Sequence, residues 1–250
     1  MEAVAKIVGG GNIKLGNTIG TWSTLFGDAV YDTPFGKVQG TCGHHCEHCG
    51  QSVNGKRPPC YVAKSYRYGS VIKRHAENTV AMRKDVWKCF KDLHGQLTRK
   101  RNKFVYVRID QSGELETIEQ LKGWEWLAEE HRETTFYIYT KAYAIVLPEL
   151  LNGNVPKNLV VLISIWHEQG IDAYKTVKHL TNVKAFVYMD KNSNPDGWWY
   201  EEYAAHGIEI QTICKAYDEK GKMNHDITCD KCKKCIACRK NTKVIGCFDH

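Results

Sequence analysis

The second half of the chain alternates between short apolar runs and longer segments with helical spacing. The apolar runs are rich in β-branched and aromatic residues, which predicts strands. They cover residues 104–109, 135–139, 159–165, 184–189 and 208–213. The segments between them predict helices over residues 116–130, 142–151, 172–180 and 197–205. Because continuous apolar runs joined by helices are typical of parallel strands, we expect an α/β fold with a parallel sheet.

The first half of the chain adds one strand and a long helical region. Residues Phe35–Gly40 predict a short strand, and residues 60–97 predict helix that is broken near Gly69. With that strand the count reaches six βα-type strands, fewer than the eight of a closed barrel. We therefore expect a partial (open) TIM-like (β/α)6 barrel with an N-terminal extension over residues 1–215. The apolar pattern then stops, so residues 216–250 are expected to form a cysteine-rich metal-binding extension.

Composition limits the compartment and the partners of the protein. The chain has 250 residues and a formal charge of +7, without an apolar run of eighteen or more residues. The first residues lack the pattern of a signal peptide, so we expect a cytoplasmic protein without a membrane segment. Eleven cysteines in that reducing compartment argue for metal rather than disulfides. The charge suits an anionic partner such as nucleic acid or a nucleotide, although a soluble basic surface accounts for it equally well.

A first group of thiols lies in one short loop. It contains Cys42, Cys46 and Cys49 at C-x3-C-x2-C spacing, so the three thiols can converge on one centre. Thiolates select iron–sulfur clusters, zinc or Cu(I). The main alternative to a cluster is a zinc site that a neighbouring histidine completes. The candidates are His44, His45 and His48.

A second group of thiols lies in the extension at C-x2-C-x2-C-x2-C spacing. Its members are Cys229, Cys232, Cys235 and Cys238. Neighbouring lysines and arginines lower thiol pKa values and favour the ionised form that binds metal. The spacing indicates either a second iron–sulfur cluster or a tetrahedral zinc site. Further thiols could act as spare ligands, namely Cys60, Cys214 and Cys247.

The loop spacing is that of the radical S-adenosylmethionine (radical SAM) enzymes, and the chain resembles that superfamily. The resemblance implies a 4Fe-4S cluster on Cys42, Cys46 and Cys49, with one iron open to S-adenosylmethionine. It also implies that an external electron donor reduces the cluster, which then cleaves S-adenosylmethionine to a radical that attacks an unknown substrate. Four features make the chain similar to small radical SAM-like proteins of bacteriophages, namely the loop from Cys42 to Cys49, the segment from Cys60 to Lys64, the strand end from Ser112 to Glu114 and the cysteine-rich segment that closes near His250. That likeness implies the cytoplasm of a host cell.

The same resemblance suggests residues for the cofactor at the carboxyl ends of successive strands. Ser112, Gly113 and Glu114 correspond to a segment whose backbone holds the methionine amino group. Ser164 corresponds to a polar residue at the ribose, and His48 stands where an aromatic residue usually meets adenine.

A competing hypothesis assigns the same fold to a protein without catalytic activity. In it, a non-catalytic iron–sulfur or zinc protein binds nucleic acid or a protein partner, or senses the redox state.

Overall fold

A predominantly parallel β-sheet forms the centre of the protein in the computed structural model. The structure describes residues 2–9, 14–43, 60–99, 104–165, 168–189, 198–216, 224, 226–237 and 242–248. The described strands, in chain order, are β1 (Val8–Gly9), β2 (Ile19–Thr21), β3 (Val30–Thr33), β4 (Gly36–Gln39), β5 (Tyr106–Ile109), β6 (Thr135–Thr140), β7 (Leu159–Ile165), β8 (Val183–Met189), β9 (Thr212–Ile213) and β10 (Val244–Phe248).

Eight of these strands form one sheet in the order β1-β2-β5-β6-β7-β8-β10-β9. Every neighbouring pair is parallel except β1 with β2. Strands β3 and β4 form a separate antiparallel hairpin. In the described part of the chain β1 and β9 are the two edges of the large sheet, so it does not close into a barrel.

Helices connect the parallel strands. A 3-10 helix at Tyr61–Arg67 precedes the α-helices in the chain. The α-helices are α1 (Gly69–Lys84), α2 (Val86–Leu97), α3 (Ile118–Glu130), α4 (Tyr143–Leu151), α5 (Glu168–Val177), α6 (Trp198–Ala205) and α7 (Cys229–Cys232). Helices α2 and α3 begin at side-chain caps. The Asp85 side chain accepts a hydrogen bond from Lys88 N, and the Thr117 side chain accepts one from Gln120 N.

The two faces of the sheet are covered differently. Successive residues of a strand point to opposite faces, and in β6 Phe136 and Ile138 belong to the main core while Tyr137 belongs to a second cluster. The main core packs the sheet against side chains from α1 to α6. The second cluster instead packs the sheet against Leu15 and the cysteine-rich extension around Ile236. We call this second surface the helix-free face.

Most predicted elements are confirmed. The runs at 104–109, 135–139, 159–165 and 184–189 are strands, and the helical region breaks at Gly69 as expected. Helix α5 begins and ends earlier than the predicted segment 172–180.

Three predictions about the strands need correction. The predicted strand Phe35–Gly40 is β4, but it pairs with β3 in the hairpin and does not belong to the large sheet. The first parallel strand is β2 instead, because it pairs with β5. The apolar pattern also continues beyond Cys214, since β10 inserts between β8 and β9. The run 208–213 is strand only in its last two residues, at the sheet edge.

Among the described residues, we find no helix with the length and apolar character that crossing a membrane requires.

The contact between α2 and α3 provides a test of the fold. A Cβ atom on Gly123 would lie 2.0 Å from a ring carbon of the buried Phe90, whereas a Cβ atom on Gly95 would meet open space. We expect Gly123→Ala to lower the free energy of unfolding by about 1–2 kcal/mol, since overpacking exceeds the gain in helix propensity. Gly95→Ala, the matched control, should raise it by about 0.5–1 kcal/mol. Urea denaturation followed by circular dichroism measures both, and equal stabilisation would contradict the packing.

Candidate functional site

The first cysteine of the loop is anchored at the carboxyl end of the sheet. The chain leaves β2 and passes through Leu25 and Gly27, whose carbonyl oxygens accept from Thr41 N at 2.8 Å and Cys42 N at 3.0 Å. Gly27 N in turn donates to the Cys42 sulfur at 3.1 Å. Because a backbone N–H donor stabilises a thiolate, this position fits a ligand of an iron–sulfur cluster.

The segment after β5 contacts the same anchor. Glu114 N donates to the Thr41 hydroxyl at 3.0 Å, and the hydroxyls of Thr24 and Thr41 lie 3.0 Å apart. Gly113 has a φ of 88°, and a Cβ atom there would lie 1.9 Å from Thr24 Oγ1. Only glycine at position 113 therefore lets the segment after β5 lie so close to Thr24 and to Thr41, the residue before Cys42.

The Glu114 carboxylate joins the ends of two strands. It accepts from Thr140 Oγ1 at 2.8 Å, from Lys141 N at 2.7 Å and from Leu115 N at 2.9 Å. The side chain is buried, so the carboxylate satisfies its hydrogen bonds within the protein. In this arrangement Glu114 positions the backbone of the strand end and does not present its carboxylate to a ligand.

The two predicted cofactor serines are also buried. Ser112 Oγ lies 3.4 Å from the Tyr66 hydroxyl. The carbonyl oxygen of Ser164 accepts from the Tyr143 hydroxyl at 2.5 Å. Ser164 is two residues beyond Leu162 in β7, so its side chain points to the helix-free face. Ser112 and Ser164 therefore lie on the same edge of the sheet, and among the described residues their hydrogen bonds go to different partners, Tyr66 and Tyr143.

Tyr66 is a site residue that the sequence did not indicate. Its hydroxyl accepts from Phe26 N at 2.9 Å and lies 2.9 Å from His75 Nδ1. Burial raises the pKa of Tyr66 and lowers the pKa of His75 to about 4, so both side chains are uncharged at neutral pH. The Cys42 and Cys60 thiols also contribute to the rise of the Tyr66 pKa, so both lie in its surroundings.

Asp110 is a second site residue that the sequence did not indicate. It follows β5 with a φ of 46°, a left-handed conformation that aspartate adopts more readily than most residues. Its carboxyl is buried and lies 3.4 Å from Thr24 Oγ1. Burial, and then the nearby Glu114 carboxylate, raise the pKa of Asp110 well above its usual value. Burial and the neighbouring carboxylate therefore both disfavour the charged form of this carboxyl.

The cysteine-rich extension lies on the helix-free face. Cys229 N donates to Lys14 O at 2.8 Å, and Asp230 N donates to Leu15 O at 3.1 Å. The buried Lys184 ammonium donates to Lys234 O at 2.6 Å and fixes the extension to β8. These contacts bring the segment from Cys229 to Ala237 over the strands, on the side opposite to helices α1 to α6.

Five thiols interact electrostatically on this face. They are Cys214, Cys229, Cys232, Cys235 and Cys247. Burial raises the pKa of Cys229 and raises the pKa of Cys235 to about 12. A hydrogen bond from Cys247 lowers the pKa of Cys214 to about 6, and Lys14 and Arg108 act in the same direction.

The metal sites remain predictions. No three Cys, His, Asp or Glu side chains are arranged to hold a metal ion within the described ranges. Four of the predicted ligands are described, namely Cys42, Cys229, Cys232 and Cys235. Four other predicted site residues lie outside the described residues, namely Cys46, His48, Cys49 and Cys238.

The buried Asp110 carboxyl gives a pH-dependent prediction. Between the unfolded pKa of about 3.9 and the raised folded pKa, the folded protein binds the proton more tightly, so wild-type stability falls as the pH rises. Asp110→Asn removes the titrating carboxyl and with it this dependence of stability on pH. The amide oxygen of asparagine remains as a hydrogen-bond acceptor. We expect the melting temperature of Asp110→Asn to exceed that of wild type at pH 8, with the difference shrinking as the pH falls toward 4.

The exposed Asp32 provides the control for this experiment, because its side chain is 85% exposed and Asp32→Asn should give no pH-dependent gain. Differential scanning calorimetry from pH 4 to 8 measures both variants. An Asp110→Asn protein less stable than wild type at pH 8 would mean that the carboxyl is charged in the folded state.

Comparison with known proteins adds one finding. A family model described as Gene product 88 matches residues 5–241. No curated protein and no solved structure matches the chain. The match includes the loop anchor and the four cysteines of the extension from Cys229 to Cys238.

Proposed function

The chain belongs to the phage-like Gene product 88 family, and we propose that it is a radical SAM-like iron–sulfur enzyme. In this proposal it cleaves S-adenosylmethionine reductively and acts on a further substrate in the cytoplasm of a host cell, where thiols stay reduced.

One observation carries the proposal, namely the contact between the loop anchor and the end of β5. The resemblance assigns Cys42 to a cluster and Ser112–Glu114 to the methionine end of the cofactor, and these segments are far apart in sequence. Thr41, the residue before Cys42, accepts from Glu114 N at 3.0 Å. The proposed cluster ligand and the proposed cofactor segment are thus neighbours, as a reaction between cluster and cofactor would require.

The arrangement of the sheet also supports a partial barrel. Strands β2, β5, β6, β7 and β8 follow one another in both sequence and space. Helices α1 to α6 pack on one face only. Barrels of the TIM type have this singly wound arrangement, with the inner face free of helices and the active site at the carboxyl ends of the strands.

The proposed chemistry divides the work between the protein and its cofactors. Cys42, Cys46 and Cys49 would hold a 4Fe-4S cluster, which supplies the electron for reductive cleavage of S-adenosylmethionine. The Gly27 N–H donor stabilises the Cys42 thiolate, and the backbone at Gly113 orients the methionine end. Burial favours the uncharged forms of the Asp110, Tyr66 and His75 side chains beside this site. A separate electron donor completes the system.

The extension is part of the same proposal. Cys229, Cys232, Cys235 and Cys238 would bind a second iron–sulfur cluster or zinc, for which thiolates are suitable ligands. The burial that raises the pKa of Cys229 and Cys235 opposes ionisation, so metal binding here must release protons. The net charge of +7 would attract an anionic partner such as nucleic acid or a nucleotide.

A non-catalytic alternative also has an observation in its favour. The Glu114 carboxylate satisfies its hydrogen bonds internally, and the Ser112 and Ser164 side chains are buried. A protein with these features could keep the loop cluster, or a zinc ion, for structure or redox sensing while it binds nucleic acid or another protein.

The loop ligands can be tested by metal content. Replacing Cys42, Cys46 and Cys49 together by alanine should remove one cluster's worth of iron and sulfide, because three ligands are lost at once. Cys89→Ala is the control, since Cys89 is a buried thiol of α2 without a proposed ligand role. Anaerobic iron and sulfide analysis measures both proteins. Iron per chain that stays at the wild-type level in the triple variant would exclude this loop as a cluster site.

Catalysis can be tested by 5′-deoxyadenosine formation. Chemically reduced wild-type protein with S-adenosylmethionine should release 5′-deoxyadenosine, whereas Gly113→Ala should retain iron and lose most of this product. The added Cβ atom would collide with Thr24 Oγ1 and displace the strand end. Gly153→Ala is the matched control, because Gly153 also has a positive φ of 73° but faces open space.

Chromatography after anaerobic incubation measures the product of this reaction. Absence of 5′-deoxyadenosine from wild-type protein with a full iron complement would favour the non-catalytic alternative.

A further inference from the structure

Strand register aligns two cysteines at the edge of the sheet. In the parallel pair β9–β10, Thr212 lies beside Ile245 and Ile213 lies beside Gly246. The next residues in this register are Cys214 and Cys247. Cys214 N donates to Gly246 O at 2.7 Å, which is the hydrogen bond that this alignment requires.

The two thiols are close enough to react with each other. Neighbouring strands lie about 4.7–4.9 Å apart, within the roughly 4.4–6.8 Å between Cα atoms that a disulfide spans. Both side chains point to the helix-free face, and the Cys247 thiol donates a hydrogen bond to the Cys214 sulfur. A disulfide could therefore form without a change in the strand register.

The neighbouring thiols are engaged differently. Cys235 forms a side-chain hydrogen bond with Tyr139, and the charge of Cys214 affects Cys229. The strand register instead places Cys214 directly beside Cys247, so these two sulfurs are aligned for two-electron thiol chemistry.

The surroundings distinguish the roles of the two cysteines. Cys214 follows the edge strand β9 and is partly exposed, whereas Cys247 is only 4% exposed. A disulfide from solution can therefore reach Cys214 first, and Cys247 lies buried beside it in the neighbouring strand.

We propose that Cys214 and Cys247 form a redox-active dithiol that undergoes thiol–disulfide exchange with a disulfide of the glutathione class. The Cys214 thiolate attacks one sulfur of oxidised glutathione, breaks its S–S bond and releases one glutathione thiolate, which takes up a proton. Cys247 then loses its proton and attacks the Cys214 sulfur of the mixed disulfide, and the second glutathione leaves. The two cysteines are oxidised to one disulfide, and one oxidised glutathione is reduced to two thiols.

This activity is separate from the proposed function. It uses neither the loop cysteines nor S-adenosylmethionine, so it can succeed or fail whatever the metal content of the loop.

The test is a redox titration of the full chain with glutathione. Reduced protein is equilibrated anaerobically at several ratios of reduced to oxidised glutathione, quenched with acid and an alkylating agent, and digested. Mass spectrometry should find a reversible disulfide between the peptides that contain Cys214 and Cys247. Cys247→Ser should accumulate a glutathione adduct on Cys214, whereas Cys214→Ser should leave Cys247 unmodified because it is buried. Cys89→Ser, the control, should behave like wild type.

Three results would overturn the proposal. The first is that both thiols remain reduced at every ratio, and the second is that Cys214 pairs with Cys229 or Cys235 instead. The third is that the purified protein contains a metal that both single variants lose, since the two thiols would then be ligands. A glutathione adduct on Cys247 in the Cys214→Ser protein would overturn the assignment of Cys214 as the attacking thiol.

Discussion

The Thr41 hydroxyl joins three segments that are distant in the sequence. It donates to Leu25 O at 2.9 Å, accepts from Glu114 N at 3.0 Å and lies 3.0 Å from the Thr24 hydroxyl. A hydroxyl offers one donor and two acceptor sites, so Thr41 uses its full hydrogen-bonding capacity. The position of Cys42, the close approach of Gly113 and the burial of Asp110 all depend on this junction.

The sequence predicted the central strands because their patterns do not depend on distant contacts. A run such as Leu159–Ile165 is apolar at every position except Ser164, and it is buried throughout. Strand β10 was missed because it follows a polar, cysteine-rich segment and is recognised as a strand only through its pairing with β8 and β9. The hairpin strand β4 was misassigned because a short strand carries no signal of its pairing partner.

The same limit applies to the candidate site. Spacing alone marked the cysteines, and the ends of predicted strands marked Ser112 to Glu114. Tyr66 and Asp110 escaped notice because their importance arises from burial, which tertiary contacts create. The pairing of Cys214 with Cys247 likewise depends on the register of two strands that are distant in sequence.

The insertion of β10 between β8 and β9 has a consequence for the order of assembly. During synthesis β9 emerges before β10, yet in the described sheet β9 pairs only with β10. The pair β9–β10 can therefore form only after the cysteine-rich extension has been synthesised. Bringing the two strands together across that segment costs chain entropy. Folding of this region therefore depends on the synthesis of β10, and the thiols of the helix-free face come together only after that strand has been made.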